Sequence, residues 1–254
     1  NYDDYWGCRI IVFRNPGNFD PYLLLQGVLL RFSGQIWSNF GALGLEYAIT
    51  NGISAIKVAN SCISDSFSHC VKLVTSKNIE FTNNLLFNCS DSGFSFEGVN
   101  SLVRIRQNMV LGIRTSYPDF ASSGLLITRY RVAGLIMRKV VNFVNSIEIS
   151  NNFFSGSPGF GVAIPATDCG NSQLFLNNEI SSNYIGAYLA RNYSDCIEVS
   201  YNIFYRNSLG LVSYPEEVRT FSLKTCDFVE NGLAISIDLA NSNDNIQTTL
   251  TLSG

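Results

Sequence analysis

The sequence predicts an all-β protein, a right-handed parallel β-helix, on three observations. A pattern recurs about every 22–27 residues, apolar residues alternate at i and i+2, and one Asn returns at the same place in each repeat. Each unit has two alternating apolar residues, an Asn-rich turn, a second apolar pair, and a Gly that opens another alternating strand. Ile79–Leu86 leads to Gly93–Phe96, Ile147–Phe154 to Gly161–Ile164, and Leu174–Ile180 to Gly186–Leu189. Ile197–Phe204 leads to Gly210–Val212 and Phe221–Phe228 to Gly232–Ile235, with a further start at Ile246–Leu250.

With the turn residue as register mark, Asn84, Asn108, Asn152, Asn178, Asn202 and Asp227 are separated by 24, 44, 26, 24 and 25 residues. Upstream, Ile56–Ile63 fits the same frame, with Ser61 at the marked position 23 residues before Asn84. Residues 8–53 are expected to hold one or two further coils, in a register that the sequence leaves open. The expectation is a single solenoid over 1–254 with about 8–10 coils, regular over 54–112 and 146–250. The interval of 44 hides either one poorly patterned coil or an insertion near 113–145. There Pro118 breaks any strand, and the apolar run Gly124–Val144, carrying Arg129, Arg131, Arg138 and Lys139, reads as an irregular coil or a short packed helix.

The physical reasons are short. Inward Ile, Val, Leu and Phe meet the same position one coil away, about 4.8 Å along the stack. An Asn repeated in one turn can form an amide ladder, and the recurrent Gly is expected to supply a positive φ before the next strand. A helix is excluded by the two-residue period, and the leucine-rich repeat signature is absent.

Composition narrows the function. A net charge of −3 leaves no electrostatic footprint for nucleic acid or anionic membrane, and no apolar run is long enough to span a bilayer. The opening NYDDYWGC, without Met, reads as a segment of a longer chain. Seven cysteines lack CxxC spacing, which argues against zinc. Two sequons, at Asn88 and Asn192, join the cysteines in pointing to a secretory route.

Chemistry on such a scaffold needs carboxylates grouped on an outward face. Asp168 and Asp195, in Thr-Asp-Cys and Ser-Asp-Cys, are candidates for a shared proton, a Ca²⁺ site or a glycosidase pair. Turn capping on the solvent side is the plainer account of both. Asp3 and Asp4 form a weaker pair. The cysteines that follow, Cys169 and Cys196, are expected as a disulfide between adjacent coils, or else as stacked thiols. Cys8, Cys62, Cys70, Cys89 and Cys226 have no partner at a matched position. His69 is the only histidine, so a multi-His metal centre is excluded. With Cys70 next to it on the opposite face of a strand, His69 reads as structural. Tyr188, Tyr201, Tyr205 and Tyr214 could form an outward row that stacks sugars, though Tyr is also a common strand residue.

The stretch Asn60–Val99, with Ser66-Phe67, Cys70-Val71 and Asn83-Asn84, resembles the β-helix repeats of the fibrocystin and fibrocystin-like family. Related coils occur in cell-surface hyaluronan-degrading proteins, and the resemblance spans roughly residues 45–235. The His-rich stretch of those enzymes has no counterpart in Gly44–Val58, which argues against carrying over their activity. The resemblance implies a segment of a large ectodomain on a cell or ciliary surface. The leading expectation is therefore a non-catalytic structural or adhesion module without cofactor or metal. Its partners would be neighbouring domains, other subunits of a surface coat or filament, and glycans. The alternative is a carbohydrate-active or glycan-binding module working along one face.

Overall fold

The structure is a computed structural model that describes residues 10–13, 22–31, 43–46, 55–66, 69–74, 78–98, 102–114, 132–138, 146–164, 173–190, 197–214, 220–237 and 249–253. Every strand pairing in it is parallel, and the strands form three sheets. Sheet I has nine strands, from Tyr22–Gln26 through Ile79–Thr82 and Ile147–Ser150 to Thr249–Ser253. Sheet II has eight strands of three residues, from Leu29–Arg31 through Leu85–Phe87 to Asp227–Val229. Sheet III has nine, from Ile10–Phe13 through Ser92–Glu97 to Leu233–Ile237. Each sheet II strand follows one of sheet I and precedes one of sheet III, which makes eight three-stranded coils of a parallel β-solenoid among the described residues.

The alternation in sequence sets the faces. In sheet I, Val58, Phe81, Ile105, Ile149, Phe175, Val199 and Leu223 point inward in one register column, all buried. Sheet II contributes one inward residue per coil, among them Ile63, Leu86, Val110, Phe154, Ile180 and Phe204. Phe81, Phe94 and Phe96 pack ring against ring in the middle of this core, and Phe204 stacks on Phe228 at 4.8 Å. Burying an aromatic or aliphatic side chain of this size contributes about 1.5–3 kcal/mol. Part of the other face of sheet III is apolar and buried as well, with Ile136, Phe160, Ala163 and Tyr188 in a second cluster, whereas Lys72 and Ser95 precede Ile136 in its column.

Several expectations change here. The interval of 44 contains no hidden coil, because Val103 pairs directly with Ile147 in sheet I. Nor is 113–145 one continuous irregular segment or a helix. Ala133–Arg138 is a strand of sheet III, in register between Ser92–Glu97 and Phe160–Ile164. Toward the start of the chain a further coil precedes residue 54, as expected, and the structure gives its register: Tyr22–Gln26 and Leu29–Arg31 pair with Ala55–Ala59 and Cys62–Ser64.

The glycines have a different reason from the one expected. Gly93, Gly134, Gly161, Gly186 and Gly210 form one column in sheet III, yet none has a positive φ. What they lack is room. A Cβ on Gly161 would lie 2.6 Å from the carbonyl oxygen of Gly186 and 2.8 Å from Nδ2 of Asn183. Ala234, not Gly232, occupies this column in the last coil, since Leu209 pairs with Leu233. The left-handed conformation belongs to the corners: between sheets I and II at Asn60, Asn83, Gln107, Asn151, Asn177, Tyr201 and Thr225, with φ from 48° to 58°, and after sheet II at Asp65, Asn88, Gly112, Gly156, Ser182, Arg206 and Glu230, with φ from 53° to 76°. Asn tolerates that region better than most residues, so each Asn-Asn pair divides the work. The first Asn turns the chain, and the second forms the ladder.

Candidate functional site

Most side-chain hydrogen bonds and ion pairs of the described residues lie in three places: the two corners and the outer face of sheet I. The first corner holds the predicted ladder. Asn84 Nδ2 donates to Asn108 Oδ1 at 2.9 Å, and the same bond runs from Asn108 to Asn152, Asn152 to Asn178 and Asn178 to Asn202. Each Oδ1 also accepts the backbone N–H of the preceding rung, as from Asn108 N to Asn152 Oδ1 at 2.9 Å. Each Nδ2 further donates to a carbonyl of the preceding coil, for example Asn152 to Ile105 at 2.8 Å. Ser61 begins the column, its N–H donating to Asn84 Oδ1. Asp227 is not its last member. Ile203 pairs with Asp227, which places Cys226 above Asn202, and Cys226 Sγ lies 4.0 Å from Asn202 Nδ2. Burial pushes the Cys226 thiol up from its ordinary pKa.

The second corner, after sheet II, holds a ladder that the sequence reading missed. Asn183 donates to Asn207 Oδ1, and Asn207 to Asn231 Oδ1, both at 3.1 Å, while Ser157 N–H donates to Asn183 Oδ1. Spacings of 24 between these asparagines were the available signal. In earlier coils the same column carries Cys89 and Ile113, so no single residue type marks it.

Cys89 is joined to Cys70 in a disulfide with Cα atoms 5.5 Å apart, both residues fully buried. Cys70 stands in the glycine column of sheet III and Cys89 in the second Asn column, one coil further. In later coils the same corner brings Gly161 against Asn183. Closing this loop stabilises the fold by about 3 kcal/mol in the chain-entropy account. Matched positions one coil apart do not reveal this pairing, because the bond joins two different columns. Cys62 and Cys226 are free thiols.

The face of sheet I carries an alternation of charge. Lys57, Glu80, Arg104 and Glu148 occupy one register column. Lys57 Nζ lies 3.3 Å from Glu80, and Arg106 grips Glu148 with both Nε and Nη2. The Arg106 guanidinium holds the Glu148 carboxyl below the usual carboxylate range. Opposite charges one strand apart favour this register, and like charges would oppose it. These carboxylates therefore adjoin cations rather than each other.

Asp168, Cys169, Asn192, Asp195 and Cys196 lie outside the described residues, as do Asp3 and Asp4. The strands flanking the proposed pairs are in register at offsets of 25 (Ile164 with Leu189) and 24 (Gln173 with Ile197), whereas each pair is 27 apart. His69 is buried, with Nδ1 2.6 Å from Ser92 Oγ, and its neighbour Cys70 is oxidised, so the two form no nucleophile pair. The tyrosines do not make a row. Tyr188 is buried on sheet III, Tyr201 is exposed in the first corner, Tyr205 is half-buried on sheet II, and the Tyr214 side chain lies outside the described set. Asn88 is half-buried at the second corner, its φ 59° and its Nδ2 donating to Asp65 Oδ1 at 2.5 Å. That bond, with Ser64 and Arg31 beside it, holds the Asp65 carboxyl below its ordinary value. Among the described residues no group of three His, Cys, Asp or Glu could hold a metal ion, and no helix is long and apolar enough to cross a membrane. Comparison with protein-family models, curated proteins and solved structures found no match to this chain.

Proposed function

We propose that the chain is a non-catalytic structural or adhesion module of an extracellular or cell-surface protein, in line with its resemblance to the fibrocystin-like repeats. One observation carries this reading. The corner asparagines, Ser61 and the paired charges of sheet I are committed to bonds between one coil and the next. Such a stack resists bending and shear, which suits a rod that spaces neighbouring domains or joins other subunits of a coat. The buried Cys70–Cys89 bond supports the compartment, since structural disulfides persist where the surroundings are oxidising. The dispersal of Tyr188, Tyr201 and Tyr205 over three parts of the coil removes the sugar-stacking row that favoured a glycan groove.

Two measurements test the proposal. Acid quenching of the source cells, followed by denaturation, alkylation and peptide mapping, is expected to find Cys70 and Cys89 unalkylated because they are joined as a disulfide. Free thiols at both would refute the extracellular assignment. Incubation with a panel of glycans is expected to give no turnover. Turnover abolished by Asp168→Asn and Asp195→Asn would refute the non-catalytic assignment.

A further inference from the structure

We propose that closure of the Cys70–Cys89 disulfide withdraws Asn88 from N-glycosylation, so that transfer has to precede closure, a proposal that rests on the extracellular reading above. The sequon is Asn88-Cys89-Ser90, so its middle residue is the cysteine that the folded coil oxidises and buries. The segment is held from both sides of the stack. Asn88 N–H donates to Leu111 O at 3.1 Å on one side, while its side-chain amide donates to Asp65 at 2.5 Å on the other. Its carbonyl accepts from Arg114 Nη2 at 3.1 Å. Cys89 O accepts from Arg114 N–H at 2.8 Å, and Ser90 N–H donates to Ser66 O at 3.1 Å.

A transferase must take the sequon out as a free strand and reach the Asn amide with the hydroxyl two residues on. In the closed coil this would break hydrogen bonds to both neighbouring coils and strain the buried disulfide. Before closure nothing covalent holds Cys89, and the segment is available. The two reactions therefore compete for one stretch of chain.

In glycosyl transfer, Asn88 Nδ2 attacks the anomeric carbon of a lipid-linked diphosphate oligosaccharide. The N–C bond forms, the C–O bond to diphosphate breaks, and the amide gives up one proton. In closure, the Cys70 and Cys89 thiols lose two protons and two electrons to a disulfide oxidant, which leaves as two thiols. Once closure has occurred, the amide of Asn88 belongs to Asp65 and the sequon is withdrawn.

The test uses the full chain, translated behind a cleavable signal into microsomes that carry the lipid-linked donor. Occupancy at Asn88 is read by peptide mass spectrometry. We expect low occupancy in the unaltered chain, and a severalfold rise both in Cys70→Ser and in the unaltered chain made under dithiothreitol. Asn108→Ala weakens the stack while leaving both thiols in place, and is expected not to produce that rise. Equal occupancy in all samples, or an equal rise in Asn108→Ala, would overturn the proposal. The grafted signal makes these outcomes independent of the native compartment. Free Cys70 and Cys89 thiols in the source cells would instead refute the extracellular reading and take this proposal with it.

Discussion

Asn152→Ala removes a rung from the middle of the first ladder, and its cost follows from what each atom does. The Oδ1 of Asn152 accepts from Asn108 N–H at 2.9 Å and from Asn108 Nδ2 at 3.1 Å. Its Nδ2 donates to Ile105 O at 2.8 Å and to Asn178 Oδ1 at 3.0 Å. After truncation, Asn108 Nδ2 keeps Phe81 O and Arg106 O, and Asn178 Oδ1 keeps the Asn152 backbone N–H. Asn108 N–H loses its side-chain acceptor in a buried corner. An orphaned amide costs about 1–3 kcal/mol, and the remaining lost bonds about 1 kcal/mol more, for a total of about 2–4 kcal/mol. The neighbouring Asn151→Ala is the control. It loses only the tolerance of Asn for a φ of 56° in an exposed turn, a cost of about 1 kcal/mol. Urea denaturation measures the sum, and native-state hydrogen exchange locates it, because coils of a solenoid can open separately. The ladder has a direction, so exchange is expected to accelerate at Asn108 and not at Asn178, whose N–H bonds Asn202 Oδ1. Equal cost for the two variants, or equal acceleration at both amides, would refute the reasoning.

Three further outcomes are expected. Gly161→Ala drives a Cβ to 2.6 Å from Gly186 O, so denaturation should show a loss of about 1–3 kcal/mol or more. Gly112→Ala meets no atom within 4 Å and should lose only about 1–2 kcal/mol to its φ of 57°. Replacing Cys70 and Cys89 together by Ser, or unfolding under reductant, should lower stability by about 3 kcal/mol in equilibrium denaturation. Glu148→Gln tests the charge column. Because Arg106 lowers the folded-state pKa of Glu148, its contribution is complete above the unfolded value near about 4.3 and is lost as pH falls through the lowered folded value. Both side chains are partly exposed, so the difference at neutral pH should be under about 1 kcal/mol and should close in acid when thermal midpoints are compared.

The first Asn column was legible because one residue type holds one position through Asn84, Asn108, Asn152, Asn178 and Asn202, so it returns at the coil period. Its continuation was misread by one residue at Asp227, because Cys226 breaks the chemical likeness while keeping the place. The second column escaped for the same reason on a larger scale, passing from Cys89 and Ile113 to Ser157 and then to asparagine. Sheet III was lost between Gly93 and Gly161 because the long stretch between Leu111 and Ala133 broke the count, although the strand Ala133–Arg138 itself is fully regular.

By itself the sequence determined the solenoid, its period, its inward apolar columns and the ladder at its first corner. In a parallel stack each side chain meets its own equivalent one coil away, and such self-contacts are written in the chain as repetition. Contacts between different columns are not. The Cys70–Cys89 bond, the glycine column that leaves room beside Asn183, the capture of Asn88 by Asp65 and the scattering of the tyrosines depend on how the chain turns at the corners. Only the tertiary structure brings those unlike positions within bonding distance, and it is there that the chemistry of this protein is decided.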